Sequence, residues 1–206
     1  MIELGEEVVF DLSTNPWDSM RTGMDLDLLV NHPETDAEVA MFEVKRVRLN
    51  INTRTVSIED WPNESDLPMM NTLDFPAINP NYLGQKNRYV YGWVSIDWWR
   101  MYLVKKDLVD TTSYKTWSET KLNRNLSLKY CYRFTESHYP GEMIFIANPE
   151  GVEEDDGVLI TISFNGETQQ SYVLLLDAKT FEEIDRAYLP INIPFSFHGN
   201  WFPELY

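Results

Sequence analysis

Residues 188–199 read YLPINIPFSFHG and place one of the three histidines of the chain, His198, close to the C-terminus. Two prolines, Pro190 and Pro194, interrupt this apolar run, and a proline inside a helix removes a hydrogen bond and distorts the preceding turn. The segment therefore predicts a strand or an extended loop. We expect it to enter a buried place and to present a single imidazole there.

Two further segments share features with this one and change how His198 is interpreted. A lone histidine is more often a structural residue than a ligand. However, LDFPAIN with Asp74 and YPGEMIF with Glu142 also combine a proline, apolar neighbours and one acidic side chain. The three segments recur at blade-like intervals, although their sequences differ too much to define a repeat. A radial repeat would bring one polar side chain per unit to a common axis.

The composition sets limits on the class of protein. The chain has 206 residues, enough for one sizeable domain or for part of a larger one. Its hydrophobic content of 43% and aromatic content of 14% support a packed core. The net charge of -16 argues against a nucleic-acid groove, because phosphate binding needs clustered Lys and Arg.

The single cysteine and the hydropathy pattern bear on the compartment. Cys131 lies in an apolar setting, which predicts a buried structural thiol, and one cysteine cannot form an internal disulfide. No basic leader and no apolar run of about 20 residues are visible. We therefore expect a cytoplasmic protein. Val8, Val9 and Phe10 look like the middle of a strand, so we also expect the chain to begin inside a fold.

The chain shows about a dozen short strand patterns separated by turns. Residues 38–50 and 55–60 predict a hairpin, and residues 88–97 predict a strand in which Gly92 allows a bulge or a close backbone approach. Residues 158–164 and 172–177 predict a second hairpin, joined by the Asn165–Gly166 turn signal. Residues 61–80 predict a loop. This pattern is typical of an all-β sandwich, barrel or propeller.

Five motifs near the C-terminus resemble the carotenoid cleavage oxygenases. They are, in order, YPGEMIF, EDDG, LDAK, RAYLP and PFSFHG. The segment LDFPAINPNYLGQKNRYVYG resembles a further characteristic segment of that family. The resemblance covers the chain from about residue 39 to its end and is weak before that point. It implies an all-β fold, namely about three C-terminal blades of a seven-bladed β-propeller, with residues 1–206 as one portion of the propeller domain and no second domain.

The same resemblance implies a metal site. In the family, ferrous iron lies on the propeller axis, bound by four histidines, and glutamates accept hydrogen bonds from three of the imidazoles. By position, His198 matches the last iron ligand and Glu142 matches one of these glutamates. Asp74 stands where the family usually has another glutamate, and its shorter side chain would need a backbone shift or a bridging water to reach an imidazole. The other ligands would lie upstream, since neither His32 nor His138 matches a ligand motif.

The implied function is that of a non-haem Fe(II)-dependent oxygenase. Its substrates would be dioxygen and a carotenoid, apocarotenoid or retinoid, and its products two carbonyl compounds. In one branch of the family the reaction is ester cleavage with isomerisation instead. We expect peripheral membrane contact to come from upstream sequence. We expect the chain alone to be inactive, because one histidine cannot define an iron site.

Other interpretations stay open at this point. One is a non-catalytic, truncated or degenerate propeller fragment with a structural or interaction role. Another is hydrolysis by Ser196 and His198, although no GxSxG elbow is present. The acidic run at 153–157 lacks the ligand spacing of a calcium loop and predicts a solvated hairpin turn. The aromatic set Trp93, Trp98, Trp99 and Tyr102 predicts packing between blades rather than a membrane belt.

Overall fold

A computed structural model describes residues 2–4, 6–15, 42–60, 72–97, 100–109, 131–133, 137–194 and 198–202. These residues form thirteen β-strands in three antiparallel sheets, with one short 3-10 helix, Pro80–Tyr82. Within them, no helix is both long and apolar enough to span a membrane. The all-β prediction is confirmed. The predictions for residues 24–30, 114–117 and 121–125 and for the side chain of Cys131 lie outside what the structure describes.

The first sheet contains the N-terminal strands in chain order. Its strands are β1 (Ile2–Leu4), β2 (Glu7–Thr14), β3 (Glu43–Asn50) and β4 (Thr55–Asp60). The predicted β3–β4 hairpin is confirmed, with Asn50 paired to Thr55 and the Asn50 side chain accepting hydrogen bonds from two turn amides. The basic residues of β3 pair with acids on neighbouring strands, as in the bidentate contact from Arg46 to Asp11.

The second sheet corrects the predicted loop at residues 61–80. Its strands are β5 (Asp74–Ala77), β6 (Tyr89–Asp97), β7 (Arg100–Asp107) and β8 (Cys131–Arg133). The loop prediction is wrong at β5, an edge strand whose register with β6 shifts between Asp74 and Ala77. Pro76 lies in this irregular stretch, which is where a sheet tolerates proline. Pro76 therefore made this segment look like a loop in the sequence, although it forms a strand.

The predicted role of Gly92 in β6 is confirmed. A Cβ atom built on Gly92 would lie 2.7 Å from the carbonyl oxygen of Asp74 and 2.6 Å from Cδ1 of Leu73. Both distances are shorter than any van der Waals contact, so only glycine lets β5 approach β6 this closely. The close approach fixes the position of Asp74 and of the residue after it.

The third sheet contains the C-terminal strands. They are β9 (His138–Pro140), β10 (Ile144–Ala147), β11 (Gly157–Asn165), β12 (Gln170–Asp177) and β13 (Glu183–Tyr188). The predicted β11–β12 hairpin is confirmed, and the Asn165 side chain caps its turn. Both β9 and β10 pair with β11, at different positions along it, so one edge of this sheet is a strand interrupted at residues 141–143.

The main hydrophobic core lies between the second and third sheets. It combines buried side chains from both: Tyr91, Trp93, Leu103, Met143, Phe145, Leu159, Tyr172, Leu174, Leu176, Ala178 and Phe181. Burial of apolar surface is the dominant favourable contribution to such packing. The Tyr91 hydroxyl donates a hydrogen bond to the carbonyl of Ala178 across the interface. A smaller cluster of Val44, Leu73 and Val90 joins the first and second sheets.

A buried ion pair also joins the second and third sheets. Lys105 Nζ lies 2.7 Å from Asp155 Oδ2, and the two side chains are only 2% and 7% exposed. Nearby, the Glu154 carboxylate accepts hydrogen bonds from the backbone amides of Arg88 and Tyr89. The prediction of a solvated acidic turn is therefore wrong for Asp155, whose carboxylate lies inside the interface between the sheets.

Removing the carboxylate of this buried pair should destabilise the protein strongly. Asp155→Asn leaves the Lys105 ammonium buried without its counter-charge, so we expect a loss of about 3–5 kcal/mol in the free energy of unfolding. The matched control is Glu153→Gln, since Glu153 pairs with Lys179 at 2.6 Å but with both side chains at least half exposed. We expect this control to cost less than about 1 kcal/mol. Equal losses in chemical denaturation would contradict this account.

A second buried lysine predicts a dependence of stability on pH. Lys106 donates to the carbonyl of Thr72, and burial lowers its pKa from 10.5 to about 7. Between these values the unfolded chain binds more protons than the folded one, so the free energy of unfolding should rise with pH across this window. The contribution approaches about 1.4 kcal/mol per pH unit. Lys106→Met should lack this rise in urea denaturation from pH 7 to 9, and parallel curves would argue against it.

Candidate metal centre

Glu142 lies in the interruption between β9 and β10, where the chain leaves the regular ladder. The flanking residues fix its position. The Gly141 amide donates to the carbonyl of Ile162, the Thr161 hydroxyl donates to the carbonyl of Gly141, and Met143 is buried in the main core. The Glu142 side chain is 23% exposed. The third sheet therefore carries the partly buried carboxylate of Glu142 at the edge that β9 and β10 form.

The segment that carries His198 is anchored to the third sheet before it reaches the site. The Ser171 hydroxyl donates to the carbonyl of Ile193 and accepts from the amide of the same residue. Residues 189–194 contain no regular strand, in agreement with the predicted extended loop, and residues 195–197 lie outside the described part. At its end, the Gly199 amide donates to Glu142 Oε2 at 3.0 Å.

The imidazole of His198 faces the same carboxylate. Its Nδ1 atom lies 3.5 Å from Glu142 Oε2, which is ion-pair distance and longer than a strong hydrogen bond. The side chain is 76% exposed. The expectation that His198 enters a buried place is therefore wrong, because most of its side-chain surface is exposed among the described residues. The expected proximity of Glu142 and His198 is observed.

Asp74 lies near both residues but contacts neither directly. Among the described residues, no hydrogen bond or ion pair joins Asp74 to His198. Instead, Asp74 Oδ1 accepts a hydrogen bond from the Phe75 amide at 2.9 Å. Burial raises the pKa of Asp74, the Phe75 hydrogen bond and the charge of His198 lower it, and the charge of Glu142 raises it. The electrostatic coupling places Asp74 beside the site, while its hydrogen bond is directed at the backbone.

Phe75 supplies the direct contact from the second sheet. Its ring centroid lies 5.4 Å from that of His198 in an edge-on arrangement and 5.2 Å from that of Trp93. Its backbone has a φ of 47°, in the left-handed region that bulky residues rarely adopt. Such a conformation costs about 1–3 kcal/mol and persists only where the surroundings fix it. Aromatic pairs prefer this edge-on geometry.

The residues present suit one position of an iron centre. A neutral imidazole is a good ligand for Fe(II), and a carboxylate on the far nitrogen fixes the tautomer and raises the basicity. Because Nδ1 faces Glu142, the other ring nitrogen, Nε2, is the one left for a metal. Within the described residues, His198 is the only histidine beside Glu142. A complete centre needs further ligands from elsewhere.

Of the other residues considered, His138 lies apart from this site. His138 Nδ1 lies 2.8 Å from the Tyr172 hydroxyl, and burial and the Arg186 charge lower the pKa of His138. His32 and Ser196 lie outside the described residues. Glu153, Asp155 and Asp156 approach one another closely, but lysine ammonium groups contact all three carboxylates. The two lysines, Lys105 and Lys179, therefore offset most of the negative charge of these three carboxylates without a metal ion.

Solved structures with the same arrangement of sheets identify the fold. The chain superimposes on a point mutant of Synechocystis apocarotenoid oxygenase with a TM-score of 0.70 and 21% identity, covering 98% of this chain and 38% of that one. The cobalt-substituted Synechocystis protein gives a TM-score of 0.68 at the same identity and coverage. The three sheets are therefore a part of a seven-bladed β-propeller, as predicted.

Sequence comparison identifies the family. The model of the retinal pigment epithelial membrane protein family, RPE65, matches residues 3–203, and the chain belongs to this family of carotenoid oxygenases. The match begins well before residue 39, where the motif resemblance was expected to fade. A Neurospora crassa carotenoid dioxygenase is 37% identical over 145 residues, which is 67% of this chain and 20% of that protein.

The relatives are much longer than this chain. The human mitochondrial carotenoid-cleaving dioxygenase is 29% identical over 182 residues, covering 86% of this chain and 28% of that protein. Carotenoid cleavage dioxygenase 8 of Arabidopsis thaliana is 37% identical over 134 residues, covering 64% of this chain and 20% of that protein. The chain thus spans between a fifth and a third of the curated relatives that it matches.

Two contributors to the site were not foreseen from the sequence. The motifs of the sequence predict a role neither for the Phe75 ring nor for the Gly199 amide. The Asp74–Phe75–Pro76 order contained one usable signal, because an aspartate side chain readily caps a nearby amide in an irregular backbone. The contact between Phe75 and His198 had no local signal, since it joins residues from different sheets.

The carboxylate of Glu142 should control the order of the segment around His198. Glu142→Gln keeps an oxygen that can accept from the Gly199 amide, whereas Glu142→Ala removes it. We expect faster hydrogen exchange of the Gly199 amide in the alanine variant by about fivefold, and little change in the glutamine variant, because a net hydrogen bond contributes about 1 kcal/mol. Unchanged exchange in both variants would show that this bond does not hold the segment.

Proposed function

We propose that this chain supplies one imidazole ligand, His198, and its supporting carboxylate, Glu142, to the Fe(II) centre of a carotenoid or apocarotenoid oxygenase. The observation that carries the proposal is the approach of His198 Nδ1 to Glu142 Oε2, in a chain that belongs to the carotenoid oxygenase family. The two residues are far apart in sequence, so the fold brings them together. Asp74 contributes indirectly, through the backbone of Phe75.

The roles of the chain's own residues follow from their contacts. Bound Fe(II) would supply activation of dioxygen for cleavage of a polyene double bond. Glu142 would orient the imidazole so that Nε2 is the free nitrogen, and would keep the proton on Nδ1. The hydrogen bond from Gly199 fixes the carboxylate relative to the backbone of the histidine segment. The site would therefore present Nε2 of His198 to a metal in a fixed orientation.

The substrate class is inferred from the relatives. Their names describe oxygenases of carotenoids or apocarotenoids, and the name of the human relative specifies carotenoid cleavage. We propose a carotenoid, apocarotenoid or retinoid, together with dioxygen, as the substrates of the protein that contains this chain. We also propose that this protein is cytoplasmic and draws its apolar substrate from a membrane surface through parts outside this chain.

A second candidate is a fragment with a structural or interaction role and no catalysis. Two observations favour it for the chain in isolation. The His198 side chain is 76% exposed, and the described residues place no other histidine beside Glu142. A single exposed imidazole cannot hold Fe(II) against water and chelators. The chain alone should therefore not retain iron, and activity should require the remaining blades and their ligands.

Iron content separates the two candidates. In the complete polypeptide that carries this chain, His198→Ala should reduce bound iron from about one equivalent to a small fraction and abolish turnover, because one ligand is lost. The control is His138→Ala, which removes an imidazole that hydrogen-bonds Tyr172 instead of facing Glu142. We expect that variant to retain iron. The measurement is metal analysis of purified protein alongside product formation.

Two outcomes would count against the ligand assignment. One is full iron stoichiometry in His198→Ala, which would remove His198 from the centre. The other is an equal loss of iron in His138→Ala, which would indicate a general effect on folding. Glu142→Gln should weaken iron affinity by about 10–100-fold while leaving the fold intact. Unchanged affinity in that variant would remove Glu142 from its supporting role.

A further inference from the structure

Phe75 contacts the imidazole of His198 from a different sheet than Glu142 does. The phenyl ring meets the His198 ring edge-on, with an interplanar angle of 73° and centroids 5.4 Å apart. Glu142 approaches the same imidazole at Nδ1 from the third sheet. Two contacts from two directions constrain both the position and the rotation of a ring, whereas one contact leaves the ring free to turn about it.

The position of Phe75 is itself tightly specified. Its amide is bonded to the Asp74 carboxylate, its φ of 47° lies in the left-handed region, and the register of β5 shifts at this point. The ring also packs against Trp93, which is 5% exposed. Local strain that the surroundings maintain tends to occur where geometry matters for function. Here the strained residue is the one that contacts the proposed ligand.

We propose that Phe75 is a positioning residue that sets the orientation of the His198 imidazole for metal binding. This inference rests on the proposed function, since the orientation matters for metal affinity only if His198 is a ligand. The Asp74 carboxylate and the Trp93 ring fix the position of Phe75, and the Phe75 ring in turn restricts the rotation of the His198 ring. The second sheet thereby acts on a ligand that the C-terminal segment carries, although Asp74 does not bond to the imidazole.

The chain offers a matched control for this inference. Phe181 is a second phenylalanine with a left-handed backbone, with a φ of 61°, and it packs in the same main core. Its ring stacks on Tyr91, and its contacts among the described residues do not include His198. Phe181→Leu therefore reproduces the loss of an aromatic core side chain at a strained position without touching the site.

The experiment uses the complete polypeptide with Co(II) as the metal probe. Phe75→Leu should weaken Co(II) affinity by about tenfold and change the visible ligand-field spectrum, because the ligand imidazole is no longer fixed. Phe75→Tyr keeps an aromatic edge and should restore affinity to within about twofold. Phe181→Leu should leave affinity and spectrum unchanged even though it lowers thermal stability. Wild-type affinity in Phe75→Leu, or an equal loss in Phe181→Leu, would overturn the proposal.

A metal-free measurement keeps this test separate from the test of the proposed function. In the metal-free protein with ¹⁵N-labelled histidines, Phe75→Leu should change the ratio of the Nδ1–H and Nε2–H tautomers of His198, because Nδ1 is no longer held toward Glu142, and Phe181→Leu should not. If His198→Ala retains metal, the proposed function fails, and the tautomer ratio alone then decides whether Phe75 orients the ring. An unchanged tautomer ratio in Phe75→Leu would contradict the positioning role under either result.

Discussion

The packing of the second sheet on the third is the constraint on which the site depends. Phe75 and Asp74 belong to the second sheet, whereas Glu142 lies between two strands of the third sheet and the segment of His198 is anchored to that sheet. Their relative positions are fixed by the shared core and by the buried pair between Lys105 and Asp155. A buried pair adds little net stability but is costly to break, so it favours one arrangement of the sheets over others.

Within this frame, the two carboxylates at the site each have a defined partner. The Glu142 carboxylate serves both the Gly199 amide and the His198 ring, so one side chain fixes the histidine segment and orients the imidazole. The Asp74 carboxylate acts on a backbone amide, which suits its shorter side chain. The exposed face of His198 is where the remaining part of an iron centre would have to lie, and the chain spans only a minority of its relatives' length.

Much of the fold was predictable, because alternating strand patterns and turn residues specify hairpins locally. Gly92 and Asn165 are examples, because a glycine in a strand indicates a close backbone approach and an asparagine before glycine indicates a hairpin turn. Long-range features were not predictable in this way. Asp155 looked solvated within an acidic run, since its partner Lys105 lies 50 residues earlier. The positive φ of Phe75 and its contact with His198 arise from a register shift and from sheet packing, which leave no periodic signal.

The most direct test of the central claim is a crystal structure of the complete polypeptide with metal bound, using anomalous diffraction at the iron absorption edge. We expect an anomalous peak within bonding distance of His198 Nε2, with Glu142 facing Nδ1 on the opposite side of the ring. A peak away from His198, or a ring turned so that Nδ1 faces the metal, would contradict it.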